Sequence, residues 1–211
     1  MKNTMAILLL LLSGGCSGLL PKAVPVPAFH SLDGPIAPAS SAAAPQVLAG
    51  APVLIVNPTR AAPGFDSKHM MYQREAHKLE YFAHHEWVDT PSRMLAPLLL
   101  AAIERTGAFR AVVQTPTAAI GDVTLDTQIE QFKQDFLVHP SQVRFALRIA
   151  LIANPSRQIL AWRVFAAEVA TSSEDPDGGV RAANTAVNSV LEEVAVFCGS
   201  VIIQPKAAIS P

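Results

Sequence analysis

From Gln142 to Ala153 the chain reads QVRFALRIALIA, and its large apolar residues fall on every second position. Val143, Phe145, Leu147, Ile149 and Leu151 share one parity, while Arg144 and Arg148 take the other. A period of two describes a strand with one dry face and one wet face, and no helix fits it. The next residues, NPSRQ (Asn154–Gln158), have turn chemistry, and ILAWRVFAAEVA then reads as a second strand. Two such strands form a hairpin whose dry face needs a second layer. That layer is encoded further on. After a loop, SSEDPDGG, residues Val180, Ala183, Val187, Val190, Leu191, Val194, Phe197 and Cys198 form one apolar stripe at helical spacing.

The preceding chain repeats this order. PVLIV (Pro52–Val56) is a short apolar run rich in branched residues and reads as a buried strand. APGFD is a turn. MMYQRE (Met70–Glu75) and KLEYFAHHEW (Lys78–Trp87) read as strands joined tightly at Ala76–His77. Thr90 suits a helix N-cap, Pro91 the first helical position and Gly107 the C-terminal cap. Leu95, Leu98, Leu99, Ala102 and Ile103 lie on one face between them, and Pro97 either kinks this helix or marks its start. FRAVV follows as a short strand. Val123, Leu125, Thr127 and Ile129 then alternate inward, but Phe132 and Phe136 have the other parity, which places a bulge near Glu130–Gln131. The expected fold is α+β: a largely antiparallel sheet with two main helices packed on one face.

The N-terminus has a different character. MKNTMAILLLLLSGGC has Lys2, an apolar run from Met5 to Leu12, and then small residues. These are the three parts of a signal peptide. The run is shorter than the roughly 20 apolar residues that a spanning helix needs. SGGC resembles the lipobox of bacterial lipoproteins, with Ser13 standing where Leu is usual and Leu12 one position back. The resemblance implies that residues 1–15 are removed and that Cys16 is acylated. Ser17 follows Cys16, and by the sorting rule of Gram-negative lipoproteins this implies the periplasmic face of the outer membrane. Residues 16–28 then carry the lipid and a Pro- and Ala-rich tether. The domain is expected over 29–204, with Phe29–Leu32 as a short strand, 33–50 as a flexible loop and 205–211 as a tail. Lipidation of Cys16 leaves Cys198 a single thiol, and VAVFCGSVI around it suits a buried small hydrophobe.

Several function classes find no support. The formal net charge is −1, so no global basic field invites nucleic acid. In a strand, His84 and His85 point to opposite faces. His84–Glu86 and His77–His85 share faces, but each pair lacks a third ligand, so no metal site is expected. No nucleophile elbow, phosphate loop or His-Glu-x-x-His motif occurs. Glu192 and Glu193 suit the wet face of the last helix. Trp162 and Arg163 suit core packing with a snorkelling arginine. Arg144 and Arg148 remain as a possible contact for an acidic partner or lipid headgroups, or as an ordinary solvated face. No catalytic residue, metal or cofactor is expected.

The order of these pieces resembles the ABC-type transport auxiliary lipoprotein family. The resemblance rests on VLIVNPTRAAPGFD, MMYQRE and LEYFAHHEWVDTPSRMLAPLLLAAIERTGAFRAVV. An early aromatic strand (Phe29–Leu32) leads, and Trp87 closes a strand just before the Pro91 helix. Gly107–Phe109 ends that helix, and a strand with phenylalanine at Ile129–Phe132 and a long C-terminal helix follow. The resemblance implies a non-enzymatic lipoprotein of a mammalian-cell-entry (MCE) type system that moves lipids or lipophiles. Its implied partners are the membrane and an MCE-domain protein, with oligomerisation possible. An alternative is an assembly or pilot lipoprotein, or a cell-wall-synthesis activator, on a similar tether.

Overall fold

The computed structural model describes residues 26–34 and 50–203. The expectations for the signal peptide, for Cys16 and the tether up to residue 25, for residues 35–49 and for the C-terminal tail lie outside them. The elements in chain order are β1 (Ala28–His30), β2 (Val53–Val56), β3 (Arg60–Ala61), β4 (His69–Glu75), β5 (Lys78–Trp87), α1 (Pro91–Glu104), β6 (Ala111–Gln114), β7 (Val123–Asp135), β8 (Gln142–Ala153), β9 (Gln158–Ala170) and α2 (Pro176–Ile203). The fold is α+β, with strands, helix, strands and helix in the expected order.

Strand β7 is the spine of the sheet. One of its edges pairs antiparallel with β8 along its whole length, and β8 pairs antiparallel with β9. Its other edge is shared among three short strands, all parallel to it: β2 at Val123–Leu125, β3 at Gln128–Ile129 and β4 at Gln134–Asp135. Beyond β2 lies β6, also parallel, and beyond β4 lie β5 and then β1. The sheet is therefore mixed and not purely antiparallel, with its longest ladders antiparallel. The long ladders are antiparallel because turns join them, whereas β2 and β6 are separated by a crossover that contains α1. The bulge in β7 lies between Ile129 and Gln131, opposite Leu147 and Ala146. It returns Phe132 to the dry face, where Phe132 meets the Phe145 ring edge-on at 5.3 Å.

The two helices form the second layer. All five alternating apolar residues of β8 are buried, as are Ala183, Ala186, Val187, Val190, Leu191, Val194 and Cys198 of α2. Helix α2 has the length and hydropathy of a membrane span, but this stripe packs on the sheet and on α1. Each fully buried Leu or Val contributes roughly 1.5–3 kcal/mol relative to exposure, so this interface carries much of the stability. Helix α1 buries Leu95, Leu99 and Ile103 fully and keeps Pro97 inside it, on its exposed side. Thr90 occupies the N-cap position but makes no side-chain cap bond; its Oγ1 instead lies 3.2 Å from Ser92 Oγ. Gly107 follows the helix at φ 65°, a conformation a side chain resists, and its N–H donates to Glu104 O at 3.1 Å.

Helix α2 begins earlier than the sequence reading allowed. Four residues of the expected loop, Pro176 to Gly179, form its first turn. Asp175 caps it, its Oδ1 accepting the Gly178 N–H at 2.7 Å and the Ser173 hydroxyl at 2.8 Å. Pro176 has no N–H to satisfy at the first position. Gly178 is required by proximity, since a Cβ there would lie 2.2 Å from the Ser173 carbonyl oxygen. At the other end of the domain, β1 starts at Ala28, one residue before the expected boundary. Asp33, expected in a flexible loop, is held on α2: its N–H donates to Asn184 Oδ1 at 2.6 Å, and Asn188 donates to its carbonyl at 3.1 Å.

Candidate functional site

The face of β7–β8–β9 away from the helices carries the two arginines singled out above. Arg144 is committed within the fold. Its Nε lies 2.9 Å from Oδ2 of the buried Asp135, an ionic contact without hydrogen-bond alignment, and its other end lies 3.4 Å from Glu168. Arg148 is half exposed; its Nε donates to Glu130 at 2.6 Å, and its guanidinium sits 5.7 Å from the Trp162 ring centre. Trp162 is not in the core. Its partner in the ladder is Ala150, on the wet parity of β8, so the ring lies on the outer face at 62% exposure. Ile159 and Val164 are exposed beside it. Arg163 has the opposite parity and lies over the Phe165 ring at 4.8 Å and near Phe197 at 6.0 Å. Among the described residues β9 pairs with β8 alone, so this apolar patch sits on an edge strand.

A second constellation lies at the other end of the sheet. β1 runs parallel to β5 with Ala28 opposite His85 and His30 opposite Trp87. Residues two apart share a face, so His30 and His85 meet: His30 Nε2 is 3.0 Å from His85 Nδ1, with the rings 12° from parallel. Asp177, in the first turn of α2, completes a group whose donor atoms all lie within 4.8 Å of one another. Burial lowers the His30 pKa, the neighbouring His85 lowers it further, and Asp177 partly offsets both. His84 is exposed and outside this group. Strict parity fails in the middle of β5, where the β4–β5 register shifts between His69–Glu86 and Met71–Tyr81. Phe82 consequently packs toward the same core as Trp87. Sequence spacing gave no sign of His30 as a partner of His85, because 55 positions and an unforeseen parallel pairing separate them.

Cys198 is fully buried, and its thiol is pushed up to about 12 by desolvation. It therefore stays protonated and unreactive in the folded chain. Glu192 and Glu193 are exposed on α2.

The family pattern described as "ABC-type transport auxiliary lipoprotein component" matches residues 31–195. The chain belongs to this family. The match runs from just after β1 into the last third of α2 and so takes in nearly all of the α+β body. Among solved structures, a protein from Xanthomonas campestris superposes with a TM-score of 0.72 at 21% identity, covering 84% of this chain and 97% of that one. An uncharacterized protein superposes with a TM-score of 0.60 at 13% identity, covering 84% of this chain and 99% of that one. At these identities the likeness concerns the fold alone. A search of curated proteins gives no match. Membership places the chain among the lipoprotein components that accompany ABC-type transport.

Proposed function

We propose that the chain is the non-catalytic, outer-membrane-anchored component of an MCE-type ABC transport system that moves lipids or lipophilic compounds across the envelope. The observation that carries this reading is the family match over residues 31–195, joined to a signal-type run that ends on Cys16. Acylation of Cys16 fixes one end. Several acyl chains together give stable attachment where one alone is marginal. From Cys16 to Ala28 the chain spans at most about 40 Å when fully extended, so the domain stays near the membrane and its partner must reach it.

The docking contact in this reading is the outer face of β8–β9. Exposed Trp162, Ile159 and Val164 lie beside Arg148, which is paired with Glu130. An aromatic and aliphatic centre with a charged rim is the composition of a protein interface. Arg148 is the contact residue. Arg144, tied to Asp135, holds the face in shape, and an MCE-domain protein is the occupant.

Replacing Cys16 by Ala tests the anchor. Cell fractionation should move the protein from the outer-membrane to the soluble periplasmic fraction, with loss of fatty-acid labelling. Retention of the variant in the membrane fraction would contradict the anchoring role.

A further inference from the structure

The geometry of His30, His85 and Asp177 points to a binding site for one zinc-type divalent transition ion that clips β1 to β5 and α2. The inference is independent of the transport reading. Three elements remote in sequence each deliver one donor, and all three donor atoms lie within 4.8 Å of one another. The two ring nitrogens are 3.0 Å apart. Nitrogens bound tetrahedrally to one zinc ion at about 2.0–2.1 Å each are separated by about 3.3–3.4 Å, so a small outward turn of the rings brings the pair to a chelating spacing. Without an ion, that spacing is held by one shared proton. An ion takes its place once the donating ring moves its proton to its far nitrogen, His30 Nδ1 or His85 Nε2, which leaves both facing lone pairs free. Asp177 is exposed in the first turn of α2 and closes the remaining distance by side-chain rotation. Water completes the coordination.

The donor set chooses the ion. Two imidazoles and a carboxylate suit zinc and its neighbours, whereas calcium and magnesium require mostly oxygen ligands. The site also has a mechanical consequence. β1 is a three-residue strand that, among the described residues, pairs with β5 alone, and it directly follows the segment that leads back to Cys16. Bound metal would couple that segment to the sheet and to α2, reinforcing the hydrogen bonds of Asp33 to Asn184 and Asn188.

The test uses the full-length chain in detergent, without a polyhistidine tag and stripped with EDTA. Zn2+ is titrated calorimetrically, and Co2+ binding is followed by its visible absorption. The expected result is one Zn2+ per chain and a melting temperature that rises with zinc. His85→Gln and His30→Gln should each weaken binding at least about tenfold, by analogy with the 10–100-fold effect of disturbing even the outer shell of a metal site. Asp177→Asn should weaken it too, and His84→Gln should leave it unchanged. Circular dichroism in EDTA establishes that each variant is folded. If a histidine variant fails to fold, Asp177→Asn, which alters only an exposed side chain, decides the matter. Absence of stoichiometric zinc binding would overturn the site. So would an equal loss in His84→Gln and His85→Gln, which would mean adventitious binding by surface histidines.

Discussion

Trp87 shows how one residue ties the layers together. It is 4% exposed and stacks on Phe132 at 5.4 Å, while its backbone N–H donates to Lys68 O at 2.8 Å. The sequence reading placed it where strand meets helix, and the structure has it closing β5 just before α1. Truncation to Ala removes the ring and leaves a cavity, so urea denaturation should show a loss of about 3–5 kcal/mol. A loss below about 1 kcal/mol would mean that the ring is not part of the core. Cys198 makes a chemical prediction. Its pKa is raised to about 12 by burial. A raised folded pKa favours folding below the unfolded thiol value and withdraws that contribution as pH climbs toward 12. In a Cys16→Ala chain, a thiol reagent at neutral pH should label no cysteine in the native protein and one after denaturation. Fast native labelling would contradict the burial.

At the scale of elements, the N-terminus of α2 is sensitive to pH. Asp175 is held below its ordinary carboxylate value, first by the Gly178 N–H, then by the Ser173 hydroxyl, and Arg181 also lowers it. A depressed folded pKa gives stability that is present above the unfolded value and is lost as pH falls through the folded one. Asp175→Ala should therefore lower the melting temperature at neutral pH, and the gap from wild type should close at pH well under about 4. A gap independent of pH would show that the carboxylate charge plays no part in the cap.

What was legible follows from the same physics. The alternation in β8, the bulge in β7 and the stripe on α2 were readable because each is a local period set by one buried face. Trp162 was misread as core because parity on β9 depends on the ladder it joins. The parallel pairings of β2, β3 and β4 with β7 were not readable, since periodicity specifies a strand and not its neighbour. The meeting of His30, His85 and Asp177 required the parallel pairing of β1 with β5, so it was invisible for the same reason.

The whole molecule has two working ends. In the proposed role Cys16 and the β1 end face the membrane, and the β9 strand carries the outer apolar face. Helix α2 of the two-layer body touches both the segment after β1 and the β8–β9 sheet. The proposed role needs that body to bind and hold, and family membership supports an auxiliary component of ABC-type transport. The central claim is that the Trp162–Arg148 face docks an MCE-domain protein. Its most direct measurement is crosslinking in living cells from a photoreactive amino acid placed at Trp162, followed by mass spectrometry of the adducts. The account predicts a dominant adduct with an MCE-domain protein that is weakened by Arg148→Glu. Adducts exclusively with a secretin or a cell-wall synthase, or an MCE adduct that forms equally from exposed Glu193 on α2, would contradict it.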